Sequence, residues 1–362
     1  MDLKSLQLRY CLPRVRNRGH GLGNEMIPWA RAFLASQVLG AKLLPPAFGM
    51  NRRGYWRHFG SAPDDWIFNR AIEKLLPAVE FTEADWLAHG GGDVSAALRS
   101  FADTQGLHQR SLYVLVTDDL WGGYYHIQAA REFIRSTLYR SRFAAQNLHV
   151  LAGRIDPSRI LVGMHVRLGD FAPSGQAADY RRAANRALPM QWYHDIASAL
   201  QRAWGDGWQL LLVSDGEQSQ LQPLLEEFPC VITADLADGD CSDALALAGS
   251  DLLVCSASSY SVMAAFLSDA PYLWFAPNLQ LHPEGYYSAG GGASESDTLG
   301  SARHASAYFL AESAQQPSQI GRGTALDVGG AVPAAVLAAA EHRHRWRRWE
   351  LDLVRGGVAP VA

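Results

Sequence analysis

Apolar positions along the chain change rhythm near residue 158. Ahead of that point, short apolar runs mix with helical spacing. The clearest helix covers 24–39, where Met26, Ile27, Ala30, Phe33, Leu34, Gln37 and Val38 keep the i, i+3, i+4 spacing of one face. Asn24 reads as its N-cap, Pro28 as a proline tolerated in the first turn, and Gly40 as its stop. Residues 113–116 read as a strand running out into Thr117, Asp118 and Asp119. The Ala- and Gly-rich stretch 83–109 yields no assignment.

Beyond residue 158, near-continuous apolar strands at 160–165, 209–213, 231–233, 251–255 and 271–275 alternate with helices at 191–204, 217–228, 243–248 and 260–267. That alternation specifies a parallel, doubly wound sheet, with 271–275 as its last strand. Residues 282–330, rich in Gly, Ser and Ala and including Gly290 to Gly292, read as loop. A helix over 332–354 turns basic at Arg343, Arg345, Arg347 and Arg348. It is read as a strap across the two domains, with a membrane-surface or partner helix as the rival. The expected organisation is an N-terminal α/β domain over 1–155, a second Rossmann-like domain over 156–330, and a C-terminal helix and tail over 331–362.

Composition narrows the classes. At 362 residues the chain has room for about two domains of ordinary size. A formal net charge of -4 argues against a general nucleic-acid binder. Four cysteines without C-x-x-C spacing fit a reduced compartment, and neither a signal-type segment nor a membrane-length apolar run is seen, so a cytoplasmic location is expected. The eleven Trp and thirteen Tyr suit stacking on sugar rings and suit ordinary cores equally well.

Open parallel sheets bind ligands beyond the carboxyl ends of their strands, so the polar residues there carry the candidate chemistry. His165, Arg167, Gly169 and Asp170 close the first strand of the second half. Arg167 offers a planar fork of donors for phosphate oxygens. Asp215, in Ser214-Asp215-Gly216, closes the next strand and could accept from a base or ribose. Ser256, Ser258, Ser259 and Ser261 form a hydroxyl-rich turn opening a helix, an arrangement suited to anions. Plainer readings stand beside these: Arg167 pairing with Asp170, Asp215 capping the next helix, the serines as N-caps. Near the N-terminus, Gly21, Gly23, Asn24 and Glu25 precede the first helix, as a close approach to an anion or as a capped turn. A phosphate-loop lysine motif and a G-x-G-x-x-G after a strand are both missing.

These residues resemble the fucosyltransferases of the α-1,2, α-1,6 and protein-O type, and come nearest in pattern to the α-1,2 group. Gly21-Leu-Gly23-Asn24-Glu25 is similar to their G-x-G-N-Q segment, and His165-Val-Arg167-Leu-Gly-Asp170 to their H-x-R-x-x-D stretch. Pro189 to Tyr193, Val213-Ser-Asp215 and Ser258-Ser-Tyr-Ser261 match three further segments in order. The chain departs from the pattern at Leu168, where the α-1,2 and α-1,6 groups carry a second Arg, and at Val262-Met263, where a Trp pair is usual.

The resemblance implies a GT-B architecture, two Rossmann-like domains facing a cleft with the donor in the C-terminal one. It also implies inverting transfer of L-fucose from GDP-fucose to a hydroxyl of a glycan acceptor, with no cofactor and no metal. Carried over by position, Arg167 stabilises the leaving diphosphate, His165 and Asp215 contact guanine, and Ser258, Ser259 and Ser261 with Asp170 belong to the donor site. Gly21, Gly23 and Asn24 approach the donor from the other side. Glu25, Asp118 and Asp119 are the candidates for a general base. Transfer from another nucleotide sugar, or a non-catalytic nucleotide- or glycan-binding module, are the alternatives. Peripheral membrane contact through the Arg-rich helix is a further one.

Overall fold

Two runs of parallel strands organise the chain in a computed structural model. It describes residues 7–14, 20–46, 48, 51–60, 63–118, 120–124, 126–169, 172–173, 186–281, 286–289, 308–310 and 323–346. The chain divides into two compact units, Met1–Thr137 and Leu138–Ala362. In the first, β1 (Leu8–Pro13), α1 (Leu22–Leu39), β2 (Lys42–Leu43), α2 (Trp56–Phe59), α3 (Pro63–Leu75), β3 (Ala78–Phe81), α4 (Glu83–Ala88), α5 (Val94–Thr104) and β4 (Leu112–Thr117) follow in order. The strands form a parallel sheet in the order β2-β1-β4-β3. Helices α4 and α5 occupy the stretch that the sequence leaves unassigned. Both are set by their caps: Thr82 and Asp85 form a capping box, and Asp93 accepts from Ala96 N–H.

The start of α1 differs from the sequence reading. Gly21, extended at φ -71 and ψ 160, is the N-cap, so the helix begins at Leu22 and Asn24 lies inside its first turn. Pro28 consequently sits within the helix, where its missing N–H leaves the Asn24 carbonyl without the usual donor. Helix α1 tolerates this because it is buried on almost every side, and Thr117 Oγ1 donates to the Pro28 carbonyl at 2.8 Å.

After α6 (Arg131–Tyr139), the second unit comprises α7 (Ala144–Arg154), β5 (Ile160–Val166), β6 (Ala172–Pro173), β7 (Arg186–Ala187), α8 (Met190–Trp204), β8 (Trp208–Ser214), α9 (Gln218–Leu225), β9 (Cys230–Ile232), α10 (Asp240–Ala248), β10 (Leu252–Val254), α11 (Ser259–Leu267) and β11 (Tyr272–Phe275). Then come β12 (Leu279–Leu281), β13 (Tyr286–Ala289), β14 (Tyr308–Leu310), β15 (Gly323–Leu326) and α12 (Ala334–Trp346). The main sheet is parallel, in the order β15-β11-β10-β5-β8-β9. The alternation read beyond residue 158 is therefore the observed one, with two corrections. Strand β11 is not the last, because β15 pairs beside it, and 282–330 contains β13, β14 and β15 among its described residues. The β11–β15 pairing needs a glycine: a Cβ on Gly323 would lie 2.3 Å from the buried Tyr272 ring. Helix α7 packs on α10, with Asn147 donating to Ser242 Oγ, so the units divide ahead of residue 155.

Strand β5 is buried along its whole length. Ile160, Val162, Met164 and Val166 join the core built with α8, β8 and α12, while the alternate residues, Leu161, Gly163 and His165, face the other way. A Cβ on Gly163 would meet Ser250 and Leu247, which brings the end of α10 close against that face.

Helix α12 docks on the second unit itself. Val336 and Ala340 enter the core, Glu341 accepts from Trp204 Nε1 at 2.9 Å, and His344 reaches the fully buried Asp251 at 3.1 Å. Arg343 donates to the Ser250 carbonyl at 2.9 Å and the Ala248 carbonyl at 3.3 Å, at the C-terminal end of α10 where carbonyls lack helical donors. Arg347 and Arg348 lie outside the described residues, and among those described no helix is long and apolar enough to cross a membrane. Arg343→Met should lower the unfolding free energy by about 1–2 kcal/mol in urea denaturation, since it removes charged donors from partly buried carbonyls. Arg345→Gln, on the exposed side of the same helix, should change it by less than about 0.5 kcal/mol. Equal effects of the two would contradict this docking.

Candidate functional site

His165 ends the inner face of β5 and is buried, so its ring nitrogens need partners inside the protein. Nδ1 lies 2.7 Å from Ser261 Oγ and 2.9 Å from Ser256 Oγ. Ser261 Oγ accepts from the Ser256 N–H at 3.0 Å, and Ser256 Oγ lies 3.2 Å from Ser258 Oγ. The imidazole thereby ties β5 to the turn between β10 and α11. Ser258 is the N-cap of α11, accepting from Ser261 N–H at 3.4 Å, and Ser259 is the helix's first residue. First-turn N–H groups of a helix have no partner within it, so this turn offers both amides and hydroxyls to an anion. Burial lowers the His165 pKa to about 3, helped by the Arg167 charge and opposed by Asp215. The ring is neutral throughout the physiological range.

One residue beyond the strand, Arg167 NH1 lies 2.7 Å from Asp215 Oδ2. The other oxygen of Asp215 accepts the backbone N–H groups of Leu168 at 2.9 Å and Gly169 at 3.1 Å. The loops after β5 and β8 interlock at two glycines. A Cβ on Gly169 would lie 2.3 Å from Asp215 Oδ2, and one on Gly216 would lie 2.5 Å from Leu168 Cδ1. Ser214 Oγ adds a bond to the Val166 carbonyl at 2.7 Å. Asp215 does not cap α9, whose N-cap is Glu217. Asp170 lies outside the described residues, and the Arg167 partner found here is Asp215.

Asp243, in the first turn of α10, escaped the sequence reading, which begins that helix at Asp243 and not at Asp240. One oxygen accepts from Thr233 Oγ1 at 2.9 Å, and the other is buried without a hydrogen-bond partner. Burial pushes this carboxyl up to about 8, against the Thr233 hydrogen bond and with the help of the Asp240 charge. Acidic residues in a first turn ordinarily read as dipole partners, so only burial marks this one out. Tyr260, whose ring centre lies 5.0 Å from that of His165, donates its hydroxyl to the Asp240 carbonyl, bringing the start of α10 beside the serine turn.

In the first unit, the segment from His20 to Glu25 is held by two side chains. The Tyr124 hydroxyl donates to the Gly23 carbonyl, and Asn51 Nδ2 donates to the His20 carbonyl at 3.1 Å and to Glu25 Oε1 at 2.6 Å. Asn24 Oδ1 and Glu25 Oε2 are buried without partners. Burial raises the Glu25 carboxyl to about 8, opposed by Asn51, so it is mainly protonated at neutral pH. Asp118 is paired with Arg14 at 3.3 Å, in a cluster where Arg14 also bonds Glu73 and Glu80. Asp119 lies outside the described residues. Among the described residues no three His, Cys, Asp or Glu side chains converge in the manner of a metal site.

The buried imidazole makes the second unit sensitive to acid. Below an unfolded pKa near 6.5 the unfolded chain takes a proton that folded His165 refuses until about pH 3, so stability is complete above 6.5 and falls through that window. Asp243 acts in the opposite sense, since its contribution is present below the unfolded carboxyl pKa and lost as pH rises through about 8. The comparison is therefore between variants. From pH 7 to pH 5 the native protein should lose about 2 kcal/mol more than His165→Gln in urea melts. Parallel curves would show that His165 is not held neutral.

Compared with known proteins, the chain matches no family model and no curated protein sequence. Among solved structures it is similar to the fucosyltransferase NodZ from Bradyrhizobium, at 13% identity and TM-score 0.41, over 72% of this chain and 94% of that one. It is similar to POFUT1 in complex with GDP-fucose, at 10% identity and TM-score 0.41, over 72% of this chain and 93% of that one. A glycosyl transferase of family 9 from Veillonella parvula follows at 10% identity and TM-score 0.37, over 73% and 80%.

Proposed function

We propose that the protein is a glycosyltransferase that binds a nucleoside diphosphate sugar at the carboxyl edge of its second sheet and transfers the sugar to a hydroxyl of a glycan. GDP-fucose is the donor favoured by the sequence motifs, and the reading carries inversion and independence from metal with it. One observation carries the proposal. On adjacent strands, Arg167 and the start of α11 present a guanidinium, hydroxyls and helix-end amides, tied to one another through His165.

That set answers the chemistry. As the acceptor oxygen bonds to the anomeric carbon and its proton passes to water, the bond from that carbon to the diphosphate breaks and negative charge accumulates on the leaving group. Fixed donors meet that charge without reorganising. Arg167 takes the diphosphate, and the Ser258–Ser259 turn takes it from the next strand. Roles implied by the resemblance shift for two residues: His165, its Nδ1 occupied by hydroxyls, organises the turn, and Asp215 holds Arg167, so the nucleobase falls to Asp243. Its Oδ1, buried without a hydrogen-bond partner, is placed to accept from the nucleobase, and the N–H donors that guanine presents there would favour the ionised carboxylate. No base is assigned: Asp118 is paired with Arg14, and Glu25 at neutral pH carries a proton. A different nucleotide sugar is the second reading, favoured by Leu168 and by Val262-Met263.

In a thermal-shift panel of GDP, UDP, ADP, CDP and dTDP, GDP should raise the melting temperature most. Arg167→Ala should shrink that shift while leaving weak, measurable GDP binding, and lower donor turnover at least about a hundredfold while keeping the native melting temperature. Near-normal turnover by Arg167→Ala would remove its role. Selectivity for another nucleotide would keep a transferase and discard fucose. Asp243→Asn should reduce the preference for GDP over IDP, which lacks the 2-amino group, by about tenfold in isothermal titration. An unchanged preference would place the nucleobase elsewhere.

A further inference from the structure

We infer that Asp215 is a positioning residue, which acts on the ligand only through Arg167. This rests on the donor-site reading above. Three bonds fix the carboxylate, one from the Arg167 guanidinium at 2.7 Å and two from the Leu168 and Gly169 N–H groups at 2.9 and 3.1 Å. A carboxylate oxygen bonded to two successive amides is anchored to the same loop whose first residue it orients. The other oxygen then holds one edge of a planar fork, which sets where the remaining donors point. A long side chain ending a strand would otherwise sample many rotamers, and its preorganisation lowers the entropic cost of engaging a diphosphate.

The glycines belong to the same device. Gly169 has no room for a Cβ because Asp215 Oδ2 would lie 2.3 Å from it, and that oxygen is the one bonded to Arg167. Close approach of loop and carboxylate is thus built into the sequence at a second position. Asp215→Asn keeps an oxygen for the two amides and removes the charge held against Arg167. Gly169→Ala displaces the same oxygen from the other side.

A double-mutant cycle on GDP affinity tests this, with GDP and IDP as probes in isothermal titration at low salt. Asp215→Asn should weaken GDP binding about tenfold in the native background and less than about twofold in Arg167→Ala. It should leave the GDP to IDP preference within about twofold of native, and Gly169→Ala should reproduce the loss. The melting temperature of Asp215→Asn should stay within a few degrees of native. An equal loss in both backgrounds, a collapsed preference for GDP, or tighter binding by Asp215→Asn would each overturn the inference while the donor-site reading survives. If the native protein binds neither GDP nor any other nucleoside diphosphate of the panel, the donor-site reading fails and takes this inference with it.

Discussion

A neutral imidazole buried at the end of one strand is the constraint around which the second unit's functional edge is arranged. Burying His165 without partners would be costly, and burying it charged more so. Strand β5 therefore cannot end as it does unless the next strand supplies hydroxyls at the right depth. Ser256 and Ser261 do, at 2.9 and 2.7 Å, and in doing so they fix where α11 begins. The same strand end then sends Arg167 out to the opposite neighbour, β8, where Asp215 receives it. Three adjacent strands are thus coupled by side chains at and just beyond the ends of their backbone ladders.

Much of this unit is legible in the sequence. A parallel sheet covered on both faces requires near-continuously apolar strands, and 160–165, 209–213 and 251–255 show that apart from Gln209 and Asp251 at their starts and His165 at an end. Their polar terminal residues follow at once. What cannot be read is which terminal residues pair. Arg167 has Asp170 three residues away and Asp215 on another strand, and sequence alone favours neither. The pairing with Asp215 follows from sheet order, which places β8 beside β5. Asp243 is silent for a different reason: at a helix start a carboxylate is expected, and its burial comes from tertiary packing.

The first unit is less legible in the sequence, and the physical causes are local. Gly21 has no side chain to announce a cap, so Asn24 takes that role in a pattern-based reading and the helix is shifted inward. Pro28 then looks permissible when it is in fact internal, tolerated because neighbouring elements enclose α1. Strand β15 is missed because Gly323 to Leu326 is short, weakly apolar and far along the chain from β11, whose edge it covers. Tertiary burial outweighs local propensity at each of these places.

Leu168 shows how a departure from the pattern changes the demands on the site. Where the resembling families carry a second guanidinium, this chain has a side chain that packs against the core and fits into the space left by the missing Cβ of Gly216. Leu168 and Gly216 form a steric lock between the loops after β5 and β8. The positive charge at the end of β5 then rests on Arg167, so the direction in which that one fork points matters more than where two would share the load. A lock through Leu168 and Gly216 and a latch through Asp215 and Gly169 both act on that direction, from opposite sides of the same short loop. On the donor-site reading proposed above, a rigid loop suits chemistry that depends on preorganised electrostatics rather than on net charge.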